Sequence, residues 1–280
     1  DDKVVTAWNG LAVAALAEAG VLRGQDGRVA AAVGAADLVL DRHASVRDGD
    51  LRLARSSLGG RAGTAPGVLE DYGCLADGLL ALAQATGRAR YLEAAGAVLG
   101  TVLTRFTGDD GRLRDTAVDQ VDPVVARVGR VRDVADGPTP SGTAAAAAAL
   151  VGYAALTGST EHRRAGEAAL ASPLLLAPQV LLGAGWALAT LEAVLDGPRE
   201  VAVVGVSGDP DAAALAAVAR AGTAPGAVVV VGAPDSPGLP LLTGRDLVDG
   251  RAAAYVCRGF VCERPVTDAE ALAALLGPEA

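Results

Sequence analysis

The sequence predicts a mainly α-helical protein made of repeated antiparallel helix pairs, followed by a small α/β subdomain. About half of the 280 residues are hydrophobic and only 3% are aromatic, a composition that favours closely packed helices over an aromatic-rich β-sandwich. Segments of similar pattern recur along residues 1–197, as expected for a repeat of helical hairpins. Runs of β-branched residues of strand length follow, and we therefore predict two domains, 1–197 and 198–280.

Three glycines indicate where the first helix of each pair ends. Gly20, Gly87 and Gly158 follow similar apolar segments and stand roughly 70 residues apart. Glycine commonly ends a helix because it adopts the left-handed conformation without strain. After each glycine a few polar residues lead into a second helix. The second helices are predicted at residues 28–43, 88–106 and 160–171.

The helix pairs are predicted to stack side by side. The first helices carry broad apolar faces of small residues, such as Leu11, Ala14 and Leu75, which indicates burial between other helices. Such pairs form either an open solenoid or a closed α/α toroid. The connections at 50–56 and 112–118 contain short extended pieces that we expect to cover one mouth, as in toroids whose loops carry a site.

The number of helices is too small for a closed ring. Three pairs and one further helix, predicted at 179–195, are available, so an incomplete toroid is expected. In the second domain, strands are predicted at 200–206, 227–231 and 252–257, with a helix at 211–220. Thr267, Asp268 and Glu270 open a final helix in the pattern of a capping box.

Charge and hydropathy exclude two classes of partner. The formal net charge of −9 argues against a general nucleic-acid binder. Residues 168–191 carry no charge and are long enough to span a bilayer, but Pro173 and Pro178 interrupt them. We therefore expect a buried helix with a break there, and no membrane partner.

The cysteines and histidines offer little redox or metal chemistry. Cys74, Cys257 and Cys262 are odd in number, and their spacing resembles neither a disulfide framework nor a zinc site. We expect reduced thiols, a cytoplasmic protein, and no metal or other cofactor. His43 and His162 fall at opposite ends of the predicted helix pairs, so they are expected to be structural and not to act as a catalytic pair.

Polar clusters precede the three glycines at similar distances. They contain Asp2, Glu70 and Pro140, the last flanked by Thr139 and Ser141. Because the units repeat, these clusters are expected at the starts of the first helices, all at one mouth of the array. Helix capping explains such residues without any function, and we favour a cap for Ser141.

The adjacent acids exceed what a cap requires and suggest a site for a neutral sugar. Asp2, Glu70 and Asp71 are the candidate catalytic groups, because two carboxylates of unequal pKa supply the acid and base of glycoside hydrolysis. Aromatic rings can stack on a sugar face, and amides can hydrogen-bond to its hydroxyls. The candidate ligand-positioning residues are Lys3, Trp8, Asn9 and Tyr72.

Four ordered segments resemble a known family. The segments DDKVVTAWNGLAVAALAEAG (1–20), GVLEDYGCLADGLLAL (67–82), ADGPTPSGTAAAA (135–147) and AAAYVCRGFVCERPVTDAEAL (252–272) resemble the C-terminal part of the thioredoxin-domain-containing, spermatogenesis-associated protein 20-like family. The resemblance implies a barrel of the six-hairpin glycosidase kind, similar to N-acylglucosamine 2-epimerases. It also implies that a thioredoxin-like domain and the first hairpins lie upstream.

The resemblance extends the set of candidate site residues. The family's pattern covers Asp1, Asp2, Lys3, Trp8, Asn9, Glu70, Asp71, Tyr72, Asp136, Gly137, Thr139, Pro140, Ser141 and Gly142. It therefore adds Asp136, Thr139 and Ser141 to the substrate-binding candidates. The sequence departs from the pattern at Thr143, where Asn is usual, and at Gly73–Cys74.

Two functional hypotheses follow. The first is the barrel portion of a carbohydrate-active protein with glycosidase-like or sugar-isomerase-like acid/base chemistry and a small sugar ligand. The second is a non-catalytic scaffold or binding module that serves the thioredoxin-like redox domain.

Overall fold

Helices provide most of the regular structure. The computed structural model describes residues 2–120, 123–206 and 208–277. Its α-helices are α1 Thr6–Leu22, α2 Asp26–His43, α3 Leu69–Thr86, α4 Ala89–Thr101, α5 Pro123–Val128, α6 Gly142–Thr157, α7 Thr160–Leu176, α8 Gly185–Asp196, α9 Pro210–Ala221 and α10 Ala269–Leu276. A π-helical turn, Val102–Phe106, extends α4, and a 3-10 turn, Leu181–Ala184, precedes α8.

The helices form successive hairpins. Helices α1, α3, α6 and α8 pack against one another in this order, and we call them the central row. Helices α2, α4 and α7 each pack on the preceding member of the row, and the short connections make each pair antiparallel. The predicted mainly helical class and the helix pairs are confirmed. The incomplete toroid stays a prediction.

Two of the three predicted helix stops are confirmed. Gly87 and Gly158 have φ values of 64° and 75° and cap α3 and α6 in the left-handed conformation. Gly20 does not end α1, which continues to Leu22. A Cβ at Gly20 would lie 2.6 Å from the Val29 side chain of α2, so this glycine allows the two helices to pack closely.

Glycines also bring the central row into backbone contact. A Cβ at Gly10 of α1 would lie 2.3 Å from the backbone oxygen of Cys74 in α3, and one at Gly78 would lie 2.5 Å from the oxygen of Gly10. Between α3 and α6, a Cβ at Gly73 would lie 2.6 Å from the nitrogen of Ala146. Close packing of these helices therefore depends on positions without side chains.

Short strands connect the helix pairs at the end where the central row begins. They are β1 Val4–Val5, β2 Ala44–Arg47, β3 Asp50–Leu53, β4 Ser56–Leu58 and β5 Arg61–Ala62. Strands β2 and β3 form a hairpin, and β4 pairs with both β1 and β5. The extended piece predicted at 50–56 is confirmed, whereas that at 112–118 contributes only the isolated bridge between Thr107 and Leu113.

A four-stranded sheet follows the helix pairs. Its strands are β6 Arg199–Val204, β7 Val228–Gly232, β8 Ala253–Arg258 and β9 Val261–Cys262, in the order β7-β6-β8-β9. Strand β6 is parallel to β7 and antiparallel to β8. The predicted strands and helices of this region are confirmed within a few residues, including α10, whose N-cap is Asp268.

The sheet is buried on both faces. Ala202 and Val204 belong to the main core, which includes the helix pairs, whereas Val201 and Val203 pack in a second cluster with α9 and α10. Alternate residues of one strand thus face different layers, which explains the continuous apolar run in the sequence. The main core also crosses the predicted boundary at 197, and the division into two domains stays a prediction.

The uncharged stretch at 168–191 differs from the expected buried helix. Pro173 is accommodated within α7, which continues to Leu176, and a turn then leads to α8. Leu181 and Leu182 are 66% and 92% exposed, so the prediction of burial is wrong for this turn. No helix in the described ranges has the length and hydropathy needed to cross a membrane.

The cysteine prediction is also corrected. Cys257 and Cys262 form a disulfide, and Cys74 is a buried free thiol. Strands β8 and β9 are antiparallel and place the two bonded residues directly opposite each other. The four intervening residues are therefore the connection of a tight hairpin, an arrangement that cysteine spacing alone did not indicate.

The close contact of α1 with α3 yields a stability prediction. We expect Gly10→Ala to lower the free energy of unfolding by about 1–3 kcal/mol, because the new Cβ meets backbone atoms that cannot rotate away. Gly34→Ala in α2 is the matched control, since no described atom beyond its chain neighbours and the α2 backbone lies within 4 Å of its Cβ position. This control is expected to stabilise by about 0.5–1 kcal/mol, and urea denaturation measures both. Equal effects would contradict the packing described.

Candidate functional site

The start of α1 is joined to the start of α3 by Asp71. Its Oδ1 accepts a hydrogen bond from the Ala7 backbone N–H at 3.1 Å, and its Oδ2 accepts one from the Val68 N–H at 2.9 Å. Arg55 donates to the same Oδ2 at 3.0 Å. The carboxylate is fully buried. Burial raises the pKa of Asp71 to about 6, although these donors and the Arg55 charge act to lower it.

Glu70 joins the start of α3 to the segment that precedes α6. The Thr139 hydroxyl donates a hydrogen bond to the Oε1 atom of Glu70 at 3.0 Å, and the Nη2 atom of Arg55 lies 3.3 Å from Oε2. The Glu70 side chain is 20% exposed. A Cβ at Gly142 would lie 2.7 Å from the Glu70 nitrogen, so the two helix starts are in direct contact.

Asp136 joins the start of α6 to the start of α8. It accepts hydrogen bonds from the Ser141 N–H at 2.9 Å and from the Trp186 N–H at 2.8 Å. Ser141 itself caps α6 by accepting from the Ala144 N–H at 3.2 Å, so its predicted capping role is confirmed. The helices of the central row therefore begin at one common end, which carries Glu70, Asp71, Asp136, Thr139 and Ser141.

A small cavity opens at this end, and we call it the Glu70 pocket. It has a volume of about 290 Å³, and its lining includes Glu70, Asp115, Asp133, Thr139 and Ser141. Asp115 accepts a hydrogen bond from the Asp133 N–H at 2.7 Å. Burial raises the pKa of Asp115 to about 6, and the nearby charges of Asp133 and Glu70 add to the rise against the effect of that hydrogen bond.

Sequence reasoning missed Asp115, Asp133 and Arg55. Asp115 lies in the segment 112–118, which was expected to cover the mouth, and this position was the available signal. Arg55 lies just after β3, in the other connection at the same end. Neither connection belongs to the helical repeat. The equal distances from Gly20, Gly87 and Gly158 that located the other polar clusters therefore did not reveal these side chains.

The N-terminal candidates lie near the beginning of α1. Asp2 and Lys3 are exposed and precede β1, and Asp1 falls outside the described residues. Trp8 is 60% exposed on the first turn of α1. The Asn9 amide donates to the Val5 carbonyl at 2.8 Å and thereby stabilises that turn.

Tyr72 lies in the main core. It is 2% exposed, its ring centroid is 4.8 Å from that of Phe106, and its hydroxyl accepts a hydrogen bond from the Leu53 N–H at 3.0 Å. Direct stacking of Tyr72 on a ligand would require this packing to open.

Both histidines have structural surroundings, as predicted. His43 is buried, with Nδ1 2.7 Å from the Thr6 hydroxyl oxygen and Nε2 2.8 Å from that of Ser57. The Thr6 hydroxyl donates to the Ala54 carbonyl, so Nδ1–H is the donor to Thr6 in the neutral ring. Burial lowers the pKa of His43, which favours that form. His162 contacts the cap of α7 at the other end of the helices.

A second cavity of about 560 Å³ lies on the face of the central row. Glu18, Asp77, Gln84, Trp186 and Thr190 supply its polar and aromatic groups. Burial raises the pKa of Asp77 to about 6, with a further contribution from the charge of Glu18. The signal in the sequence was an acid within the apolar run of α3.

The described residues contain no cluster of three or more His, Cys, Asp or Glu side chains arranged to hold a metal ion.

The roles of neighbouring acids can be separated by stability measurements. We expect Asp71→Asn to lower the free energy of unfolding by about 1–3 kcal/mol, because either orientation of the amide places an NH2 group against a backbone donor. Glu70→Gln is the control, since its side chain is partly exposed and accepts only from side chains. We expect a much smaller change, measured by urea denaturation at pH 8. A larger loss in Glu70→Gln would contradict these assignments.

The chain is similar along nearly its whole length to curated proteins called spermatogenesis-associated protein 20. It is 27% identical to the Homo sapiens protein over 290 aligned residues, which cover 99% of this chain and 36% of that protein. The Mus musculus and Rattus norvegicus proteins are 27% and 26% identical, and each alignment covers 96% of this chain and 35% of the relative. The chain thus spans about a third of the length of these relatives. No protein-family model matches it.

The similarity agrees with the four ordered motifs, which are distributed from the first residues to α10. The resemblance that these motifs predict is therefore confirmed. Over nearly its whole length, the chain is thus similar to the spermatogenesis-associated protein 20 family.

Proposed function

We propose that this chain is the barrel portion of a carbohydrate-active protein and that its helix pairs form part of an incomplete α/α toroid. The observation that carries the proposal is the Glu70 pocket, where Glu70 and Asp115 line one cavity at the start of the central row. Two carboxyl groups in different environments supply the acid and base that glycoside hydrolysis needs.

The surroundings of the two carboxyl groups suggest their roles. Asp115, with its pKa raised to about 6, is the general acid that donates a proton to the oxygen of the breaking glycosidic bond. Glu70 accepts hydrogen bonds from Arg55 and Thr139, and its carboxylate assists the attack of water on the sugar carbon. Water supplies the remaining hydroxyl group and proton of the products. Asp71 acts in this scheme by positioning Arg55.

Residues around the pocket provide contacts for sugar hydroxyls and ring faces. The Thr139 hydroxyl lines the cavity, and the exposed Trp8 ring lies on the neighbouring start of α1. Asp2, Lys3 and Asn9 precede or begin the same helix, and Asp2 remains a candidate carboxylate. A small neutral sugar is the proposed ligand.

The alternative is a non-catalytic scaffold for a thioredoxin-like redox domain. It is favoured by the apolar surface around the turn between α7 and α8, where Leu175, Leu181 and Leu182 are 69%, 66% and 92% exposed. Apolar side chains grouped in this way are typical of surfaces that pack against another protein segment. Sugar binding separates the two hypotheses.

Thermal shift with neutral sugars tests the first hypothesis. We expect one or more mono- or disaccharides to raise the Tm at about 10 mM, a concentration suited to weak ligands, because binding to the folded state stabilises it. Glu70→Gln and Asp115→Asn should lose this shift. Glu161→Gln is the control, because that exposed acid lies in the first turn of α7 at the opposite end. A panel without any shift, or an equal loss in the control, would favour the scaffold.

Hydrolysis should depend on pH through Asp115. Its proton is present below a pH of about 6 and is lost above it, so kcat for a responsive glycoside should fall as the pH rises through 6. We expect Asp115→Asn to lower kcat by about a hundredfold or more. Reducing-sugar release measured between pH 4.5 and 8 provides the test. A rate that rises through pH 6 would assign the acid elsewhere.

A further inference from the structure

The disulfide of the β8–β9 hairpin has one buried and one accessible side. Cys257 is 1% exposed, whereas Cys262 is exposed on the short edge strand β9. Among the strands that the structure describes, β9 pairs with β8 alone, so the outer sulfur lies at the edge of the sheet. A thiol in solution can therefore approach Cys262, while Cys257 is covered by the protein.

A buried arginine faces both sulfurs. Arg245 is 6% exposed, and its Nη2 lies 3.3 Å from the Cys257 sulfur and 3.1 Å from the Cys262 sulfur. Nη1 donates to the Thr243 carbonyl at 3.2 Å, and the buried Nε has no hydrogen-bond partner among the described residues. The guanidinium also lies over the Phe260 ring, 5.7 Å from its centroid.

The charge of this arginine is poorly matched by the disulfide. The sulfurs of a disulfide are uncharged and weak acceptors, whereas burial of a cation favours a charged, hydrogen-bonded partner. The charge of the Glu200 carboxylate acts on Arg245, but the Oε2 atom of Glu200 accepts a hydrogen bond from the Phe260 N–H at 2.6 Å. A thiolate at either sulfur would place an anion within direct hydrogen-bonding distance of Arg245.

We propose that Cys257 and Cys262 form a thiol–disulfide exchange site whose reduced form is stabilised by Arg245. A thiolate of an external dithiol attacks the exposed Cys262 sulfur, and the electron pair of the broken S–S bond passes to the Cys257 sulfur beside Arg245. The second thiolate of the dithiol then attacks the first sulfur of the dithiol, which is bonded to Cys262 in the mixed disulfide. This step releases the Cys262 thiolate, which takes up a proton. The dithiol is oxidised to a cyclic disulfide, and the protein disulfide is reduced by two electrons.

Equilibration with dithiothreitol tests the site. The folded chain is incubated in buffers with a stated ratio of reduced to oxidised dithiothreitol and is then quenched with acid. Free thiols are alkylated in denaturant, and the number of labels is measured by mass spectrometry. The oxidised chain takes one label, on Cys74, and the reduced chain takes three. We expect Arg245→Gln to require about a tenfold higher ratio for half reduction, because hydrogen bonds to charged groups are worth that much.

Matched variants and a second measurement keep the test decisive. Arg245→Lys retains the cation and should lie closer to wild type, and Arg251→Gln should match wild type, because its side chain is 57% exposed. In the unmodified chain, a monothiol such as 2-mercaptoethanol should form its mixed disulfide on Cys262. Three results would each overturn the proposal. The first is half reduction of Arg245→Gln at the wild-type ratio, and the second is an adduct of the monothiol on Cys257. The third is a folded chain that still takes only one label in excess dithiothreitol.

Discussion

Carboxylates that accept backbone N–H groups from two helix starts hold the central row in place. The first turn of a helix leaves N–H donors without intrahelical partners, and a buried donor left unpaired costs about 1–3 kcal/mol. Asp71 satisfies donors at the starts of α1 and α3, and Asp136 does so at α6 and α8. The same contacts fix the relative positions of these helices. The Glu70 pocket exists because the helix starts and their connections are held at one end.

The sequence predicted the helix pairs because their apolar faces and terminal glycines repeat. Gly87 and Gly158 end their helices as expected, because glycine adopts the left-handed conformation of these caps without strain. Gly20 has the same sequence context but lies against Val29 of the next helix, a tertiary contact that a local pattern does not contain. The disulfide was missed for a similar reason, because it depends on the register of β8 and β9.

The common end of the central row was predictable from equal offsets, but the direction of each side chain was not. Successive helical residues point about 100° apart, so Glu70 reaches the pocket while Asp71 and Tyr72 turn inward. Sequence alone gives no means of choosing among three adjacent polar positions. Asp115 lies in a connection without helical periodicity, and only the fold brings it next to Glu70.

Hydrogen exchange of individual backbone amides tests the central claim most directly. The N–H groups of Ala7, Val68, Ser141 and Trp186 donate to carboxylates, so they should exchange slowly although they lie at helix starts. Helix α2, whose N-cap makes no side-chain hydrogen bond, supplies the reference. Protection well above that of the first turn of α2 is the result expected. Exchange of all four amides as fast as the α2 reference would contradict the proposed role of the carboxylates.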